Sequence, residues 1–218
     1  MARVNFIEMR VLCAVLATML LGTASNAGAD GLERGRTVFE QVAGLGCKGC
    51  HGEYGEGDLG VGPFIRGAND GMVRAAIDGI GEMIIIKTMI KQDEITDVVE
   101  YLGYLGSLQV ARTLAKRGRF LPEEFSARPG TTLQIIVKNT STKPHTFRSD
   151  DMDIEAITIA PRSTGSVIWK SGNKERQVSL YCTDCKLKDQ FFRIKLDEGA
   201  KKFNVVASSS VQASDTDM

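Results

Sequence analysis

Apolar positions follow two different rhythms along the chain. Between Gly31 and Gln41, Leu32, Val38 and Phe39 recur near helical spacing. Asn69-Asp70 precedes a second helical stretch through Ile77, and Gly79 is its natural stop. Gln92-Asp93-Glu94 opens a third, with Ile95, Val98, Val99, Leu102 and Leu105 on one stripe and with Gly103 and Gly106 weakening its end. Glycine-rich turns from Gly52 to Gly62 separate the first two. From Phe120 the rhythm becomes that of strands: Thr132–Val137, the isoleucines at 154, 157 and 159, Ser166–Trp169, Gln177–Tyr181 and Phe191–Leu196. Short strands divided by turn signals predict a small antiparallel sandwich. The basic stretch 107–119 reads as a solvated linker or a continuing helix, and the polar tail from Ser208 as disordered.

The amino terminus reads as an export signal. Arg3 and Arg10 precede an apolar run, Val11–Leu21, too short to span a bilayer comfortably, and small residues follow up to Ala29. Cleavage is expected after Ala27 or Ala29, with an uncleaved anchor as the alternative. Cys13 lies mid-run and leaves with the signal. The expected organisation is therefore 1–29 signal peptide, 30–106 helical domain, 107–119 linker, 120–207 β domain and 208–218 tail.

Composition narrows the function classes. The 218 residues are 43% hydrophobic and 25% charged, and Lys+Arg 27 balances Asp+Glu 27. A nucleic-acid-binding domain normally shows a basic excess, so that class is unexpected. No transmembrane span is expected after signal removal. Four mature cysteines form two pairs of equal spacing, and the chain has only two histidines, His51 and His145. Outside the reducing cytosol each pair needs a destination: a cofactor, a metal or a disulfide.

Cys47-Lys48-Gly49-Cys50-His51 has the spacing for covalent haem attachment, with two thiols for thioether bonds and an adjacent imidazole for iron. The alternative is a redox or structural Cys-x-x-Cys followed by chance by His51. With His51 committed, His145 lies in the other domain, so a methionine is the expected sixth ligand. Met72, Met83 and Met89 are candidates, Met72 reading as core.

These residues, with Gly35, Phe39, Gly62-Pro63, Gly67, Tyr101 and Gly79–Met83, resemble class I cytochrome c over about residues 31–106. The resemblance implies an all-α fold, one haem c held by Cys47, Cys50 and His51, Pro63 orienting His51 through its carbonyl, and Met83 as sixth ligand. It also implies a contact of Gly35 and Phe39 with Tyr101. Ile84-Ile85-Ile86 replaces the proline common after this methionine, which leaves an open or switchable sixth site as the alternative.

A second resemblance rests on Phe120-Leu121-Pro122, Pro129-Gly130, Val137-Lys138-Asn139, Lys143–Phe147 and Ile159-Ala160-Pro161. Residues 118–207 resemble the cupredoxin-like domains of periplasmic iron-uptake proteins, implying an all-β Greek-key sandwich. His145 and Cys182 match two copper ligands, but no second histidine follows Cys182, so counting excludes an ordinary blue-copper centre. Cys182 and Cys185 then form a disulfide, hold copper or zinc with His145 and Met152 or an acid, or act as a redox dithiol. The acids Asp150, Asp151, Asp153 and Glu155 read as a solvated loop, with weak iron or copper binding as the alternative. Together these features imply a periplasmic single-electron carrier rather than an enzyme, with a redox partner protein in the periplasm or inner membrane and a link to iron or copper uptake. The rival readings are a periplasmic metal carrier and a haem-based sensor.

Overall fold

The computed structural model describes residues 27–57, 61–185 and 190–200. The expected export signal, up to residue 26, and the polar tail lie outside the described residues.

Among the described residues five α-helices come first: α1 Ala27–Gln41, α2 Lys48–His51, α3 Asp70–Gly79, α4 Ile84–Met89 and α5 Gln92–Ser107. The side chain of Asn69 starts α3 by accepting the Met72 N–H at 3.0 Å, and Glu94 starts α5 by accepting the Lys91 N–H at 2.8 Å. The stripe on α5 buries Ile95, Val98, Tyr101, Leu102 and Leu105. Against it runs α1, and at their crossing Gly35 sits so close that any β-carbon would collide with the Asp97 carbonyl. Phe39 is fully buried there, its ring 5.4 Å from that of Tyr101 and tilted by 57°. Gly106 does more than weaken the end of α5. A β-carbon on it would strike the backbone of Gly67, whose positive φ of 77° turns the chain back so that its N–H meets Leu102 O at 2.7 Å.

Among the described residues nine strands follow in two sheets, ordered β2-β1-β4-β7 and β3-β9-β8-β5-β6. They are β1 Gln109–Lys116, β2 Arg119–Leu121, β3 Glu124–Ala127, β4 Thr132–Asn139, β5 His145–Arg148, β6 Ile157–Ile159, β7 Thr164–Lys170, β8 Arg176–Cys182 and β9 Phe191–Leu196. Phe120, Leu133, Ile135, Val137, Phe147, Trp169, Leu180, Phe192 and Ile194 share the core between the sheets. Two expectations are corrected. The pairing is mixed, because β1 runs parallel to β4 and β3 parallel to β9. The stretch 107–119 is not a linker: Ser107 ends α5, and Gln109–Lys116 forms β1, which belongs to the sheet. Its inward positions are Ala111, Thr113 and Ala115, small residues whose alternation with Arg112 and Lys116 hides the strand period from a search for large apolar side chains. The β unit thus begins at Gln109.

Leu133 to Val137 on β4 are all buried, on both faces of the sheet. Leu133, Ile135 and Val137 face the sandwich core, while Gln134 faces the helices, where Arg66 Nη1 donates to its Oε1 at 2.7 Å. Arg112 Nη1 on β1 also donates across, to Gly57 O at 3.1 Å. Among the described residues no helix is long and apolar enough to cross a membrane.

Candidate functional site

The first cysteine pair stands on a single turn of helix. Cys47 precedes α2, Cys50 and His51 lie within it, and the His51 N–H returns to Cys47 O at 3.0 Å. That turn brings both thiols and the imidazole to one cavity wall. His51 is only 8% exposed, and its Nδ1 lies 2.9 Å from the carbonyl oxygen of Pro63. A carbonyl can only accept, so Nδ1 carries a proton, and in the neutral ring it is Nε2 that has the lone pair. Gly62 makes the approach feasible: a β-carbon there would strike Cys50 O and crowd His51 Nδ1. Burial pushes the Cys47 thiol up to about 11, so it is held as neutral thiol at neutral pH.

The cavity beside these groups has a volume of about 1160 Å³ and is lined mainly by apolar side chains, among them Ile65, Ile77, Ile86, Val98 and Leu102. Met83 lines it from the single turn Gly81–Met83 that leads into α4. Met72 lines it too, from α3, and is 38% exposed; the expectation that it is core is corrected. Met89, 61% exposed, is not part of the lining. Ile84-Ile85-Ile86 continue into α4, with Ile86 on the cavity and the other two exposed. The β unit closes part of the wall with Val110, Arg112 and Phe125.

Sequence reasoning missed Arg66. It is 4% exposed, lines the same cavity, and donates to Tyr54 O at 2.9 Å, Gln134 Oε1 at 2.7 Å and Leu105 O at 2.6 Å. Its Nε is buried without a hydrogen-bond partner. Burial lowers its guanidinium to about 10, which still leaves it charged at neutral pH.

A second cluster lies in the sandwich. His145 opens β5, Cys182 closes β8, and the two strands pair through Phe147 and Cys182. Cys182 and Cys185 are joined by a disulfide. Asp184, between them in sequence, accepts the Thr146 N–H at 3.0 Å and stands 3.4 Å from His145 Nδ1 and 3.3 Å from Cys182 Sγ. Partial burial pushes its carboxyl up, but the Thr146 N–H and the His145 imidazole outweigh this and hold it below the ordinary value. Ligand atoms of His145, Cys182, Asp184 and Cys185 all fall within 4.8 Å of one another. Met152 is buried in the adjoining core. Asp150 is engaged by Arg148 and the Tyr181 hydroxyl, and Asp151 by the Ser179 hydroxyl.

No known protein family matches the chain, and no curated protein does. Solved structures do resemble part of it.

It is similar to the reduced auracyanin of Roseiflexus castenholzii, at 10% identity over 42% of this chain and 98% of that one, with a TM-score of 0.36. The metal-binding domain of a Cu(I)-exporting P-type ATPase from Streptococcus pneumoniae aligns at 14% identity over 42% of this chain and 88% of its own, TM-score 0.36. Amicyanin of Paracoccus versutus aligns at 14% identity over 40% of this chain and 81% of its own, TM-score 0.31.

Proposed function

We propose that this chain is an exported electron carrier of the class I cytochrome c type, holding one covalent haem c, with a cupredoxin-like Greek-key unit fused behind it. The observation that carries the reading is the convergence of Cys47, Cys50, His51 and Met83 on one apolar cavity, with His51 Nδ1 already engaged by Pro63 O. The donor chemistry fits the group. Cys47 and Cys50 are free thiols, available for two thioether bonds, and His51 Nε2 is left for iron. When bound, the haem supplies one-electron exchange between Fe(II) and Fe(III).

The chain's own residues do the rest. Pro63 fixes the His51 ring and its tautomer. Met83 offers a thioether, a ligand that favours the reduced state and a high potential. The isoleucines, Val98 and Leu102 exclude water, so little solvent reorganises when charge changes. Val61, Ile80 and Met72 line the cavity and are also exposed, giving its mouth an apolar rim on which a redox partner protein of the periplasm or inner membrane can dock. The reading is tested by producing the full precursor in a periplasm with haem-attachment machinery. One covalent haem per mature chain is expected, lost or singly linked in Cys47→Ser and Cys50→Ser.

A second reading is favoured by the cluster of His145, Cys182, Asp184 and Cys185. Exchange with an external dithiol, which leaves as its own disulfide, opens the Cys182–Cys185 bridge to two thiols, and the resulting sulfur, nitrogen and oxygen donors suit Cu(I) or zinc. In this reading the β unit handles a metal, and periplasmic iron or copper uptake is the pathway it would serve. Stoichiometric copper or zinc in reduced protein, lost in Cys182→Ser, is its test.

A further inference from the structure

A second, smaller cleft lies between the two units. It has a volume of about 350 Å³, and its wall is polar where that of the first cavity is apolar. None of Cys47, Cys50, His51 and Met83 lines it. The helical unit supplies Lys48 from α2, with Glu53 and Glu56 from the loop that follows. The sandwich supplies the opposite wall. Ala111 and Val137 face the sandwich core, so their neighbours Arg112 on β1 and Lys138 on β4 stand on the sheet face turned to the helices. Arg162 is carried on the turn that leads to Thr164 and β7. Two backbone bonds fix that turn, from the Arg162 N–H to Ser141 O at 3.1 Å and from the Ser163 N–H to Ala160 O at 3.3 Å.

Cations outnumber carboxylates four to two on this wall. Both carboxylates are engaged: Glu53 Oε1 lies 3.0 Å from Lys48 Nζ, and Glu56 Oε2 accepts the Tyr54 N–H at 2.7 Å. Among the described residues neither Arg112 nor Arg162 pairs with a carboxylate, and Arg112 gives one of its five N–H groups to Gly57 O at 3.1 Å.

We propose that this cleft binds a small divalent oxyanion, the phosphate dianion, between the helical unit and the sandwich. Like charges gathered in one cleft repel each other, and a cleft lined by one sign of charge concentrates its field on a counter-ion. The surplus of cations matches a dianion and disfavours a metal ion. Guanidinium forks fit phosphate oxygens in a bidentate geometry, an ammonium group adds a point charge, and the Thr164 hydroxyl can donate as well. The bound anion ties Arg112 and Arg162 of the sandwich to Lys48, on the turn that carries the first cysteine pair. It thus adds to the coupling that Arg66 and Gln134 make between the units. The proposal stands apart from the haem reading, because it uses none of the residues that would hold the haem.

The test is calorimetric titration of the mature full-length chain with inorganic phosphate, at mildly alkaline pH and low, fixed ionic strength, with chloride as the balancing salt. Saturable binding of one phosphate per chain is expected. Arg162→Gln, on an exposed turn where folding is not at stake, and Arg112→Gln should each weaken it about tenfold. Arg162→Lys keeps the charge and should recover part of the loss. Lys174→Gln, exposed on the turn at the other end of β7, should change nothing. Saturating phosphate should also raise the urea midpoint of the wild type more than that of Arg162→Gln. Glycerol 2-phosphate, run alongside, distinguishes a free anion from a phosphate carried on a larger molecule: tighter binding of the ester points to the carried group, weaker binding to the free anion, and either supports the cleft. No saturable binding of either compound overturns the proposal. So does binding that both Arg112→Gln and Arg162→Gln leave at wild-type strength.

Discussion

Arg66 and Gln134 are 68 positions apart and meet at 2.7 Å, the arginine from the helical unit and the glutamine from β4, an inner strand of the sandwich. Gln134 in turn donates from Nε2 to Ser166 Oγ on β7 at 2.9 Å, so the contact is relayed across the sheet. Both partners are almost fully buried. The two units are thereby keyed to each other through polar groups that lose their partners if the units part.

Gln134→Ala is expected to remove one acceptor from a buried cation and to destabilise the chain by about 1–3 kcal/mol. Urea unfolding followed separately by helical signal and by the single tryptophan, Trp169 in the sandwich core, should show coincident transitions in the wild type. In the variant the helical transition should move to lower urea and separate from that of the sandwich. Coincident, unshifted transitions would mean that the bond contributes nothing to coupling.

Gly106→Ala places a methyl group against the backbone of Gly67. Helix propensity alone would make this substitution stabilising by up to about 1 kcal/mol. Overpacking against backbone should win, with a net loss of about 1–3 kcal/mol in thermal or urea unfolding. Gly103→Ala, a helical glycine with open space around its α-carbon, should go the other way and stabilise. Equal effects at the two positions would contradict the close approach of Gly106 and Gly67.

The two cavity-lining methionines separate by spectroscopy. Met83→Ala is expected to lower the potential and to let carbon monoxide bind the reduced protein readily, whereas Met72→Ala should leave both nearly unchanged. The opposite pattern would assign the thioether ligand to Met72. Carbon monoxide binding to the unsubstituted protein at full occupancy would favour an open sixth site.

Asp184 gives a pH dependence whose sign follows from its partners. Its folded-state carboxyl lies below the unfolded value of 3.8, so its stabilising contribution is complete above that range. The contribution is lost as pH falls through the folded-state value. Asp184→Asn should therefore narrow the loss of thermal midpoint between neutral pH and pH 3, leaving His145 and the disulfide in place. An identical acid-side slope in both proteins would remove Asp184 from that role.

The parts of the site that were legible in sequence are those with short-range logic. Cys47, Cys50 and His51 act within one helical turn, whereas Gly62 and Pro63 were legible only through a family resemblance. Asp184 sits between two cysteines and was in plain view, but its approach to His145 depends on the pairing of β5 with β8. The strand β1 was illegible for a different reason: its inward side chains are alanine and threonine, sized for a sheet whose other face carries the helices. Arg66 left no local signal at all, because its burial depends on an acceptor in another unit. The block from Leu133 to Val137 was read as a strand, yet what covers its second face could be seen only in three dimensions.

The most direct measurement is haem stoichiometry on the mature, periplasmically produced chain, from intact mass and the haemochrome spectrum of the denatured protein. One haem per chain held by two thioether bonds, abolished in the Cys47→Ser/Cys50→Ser double variant, is the expected result. A mature chain of unmodified mass, with Cys47 and Cys50 titrating as thiols or joined to each other, would contradict it.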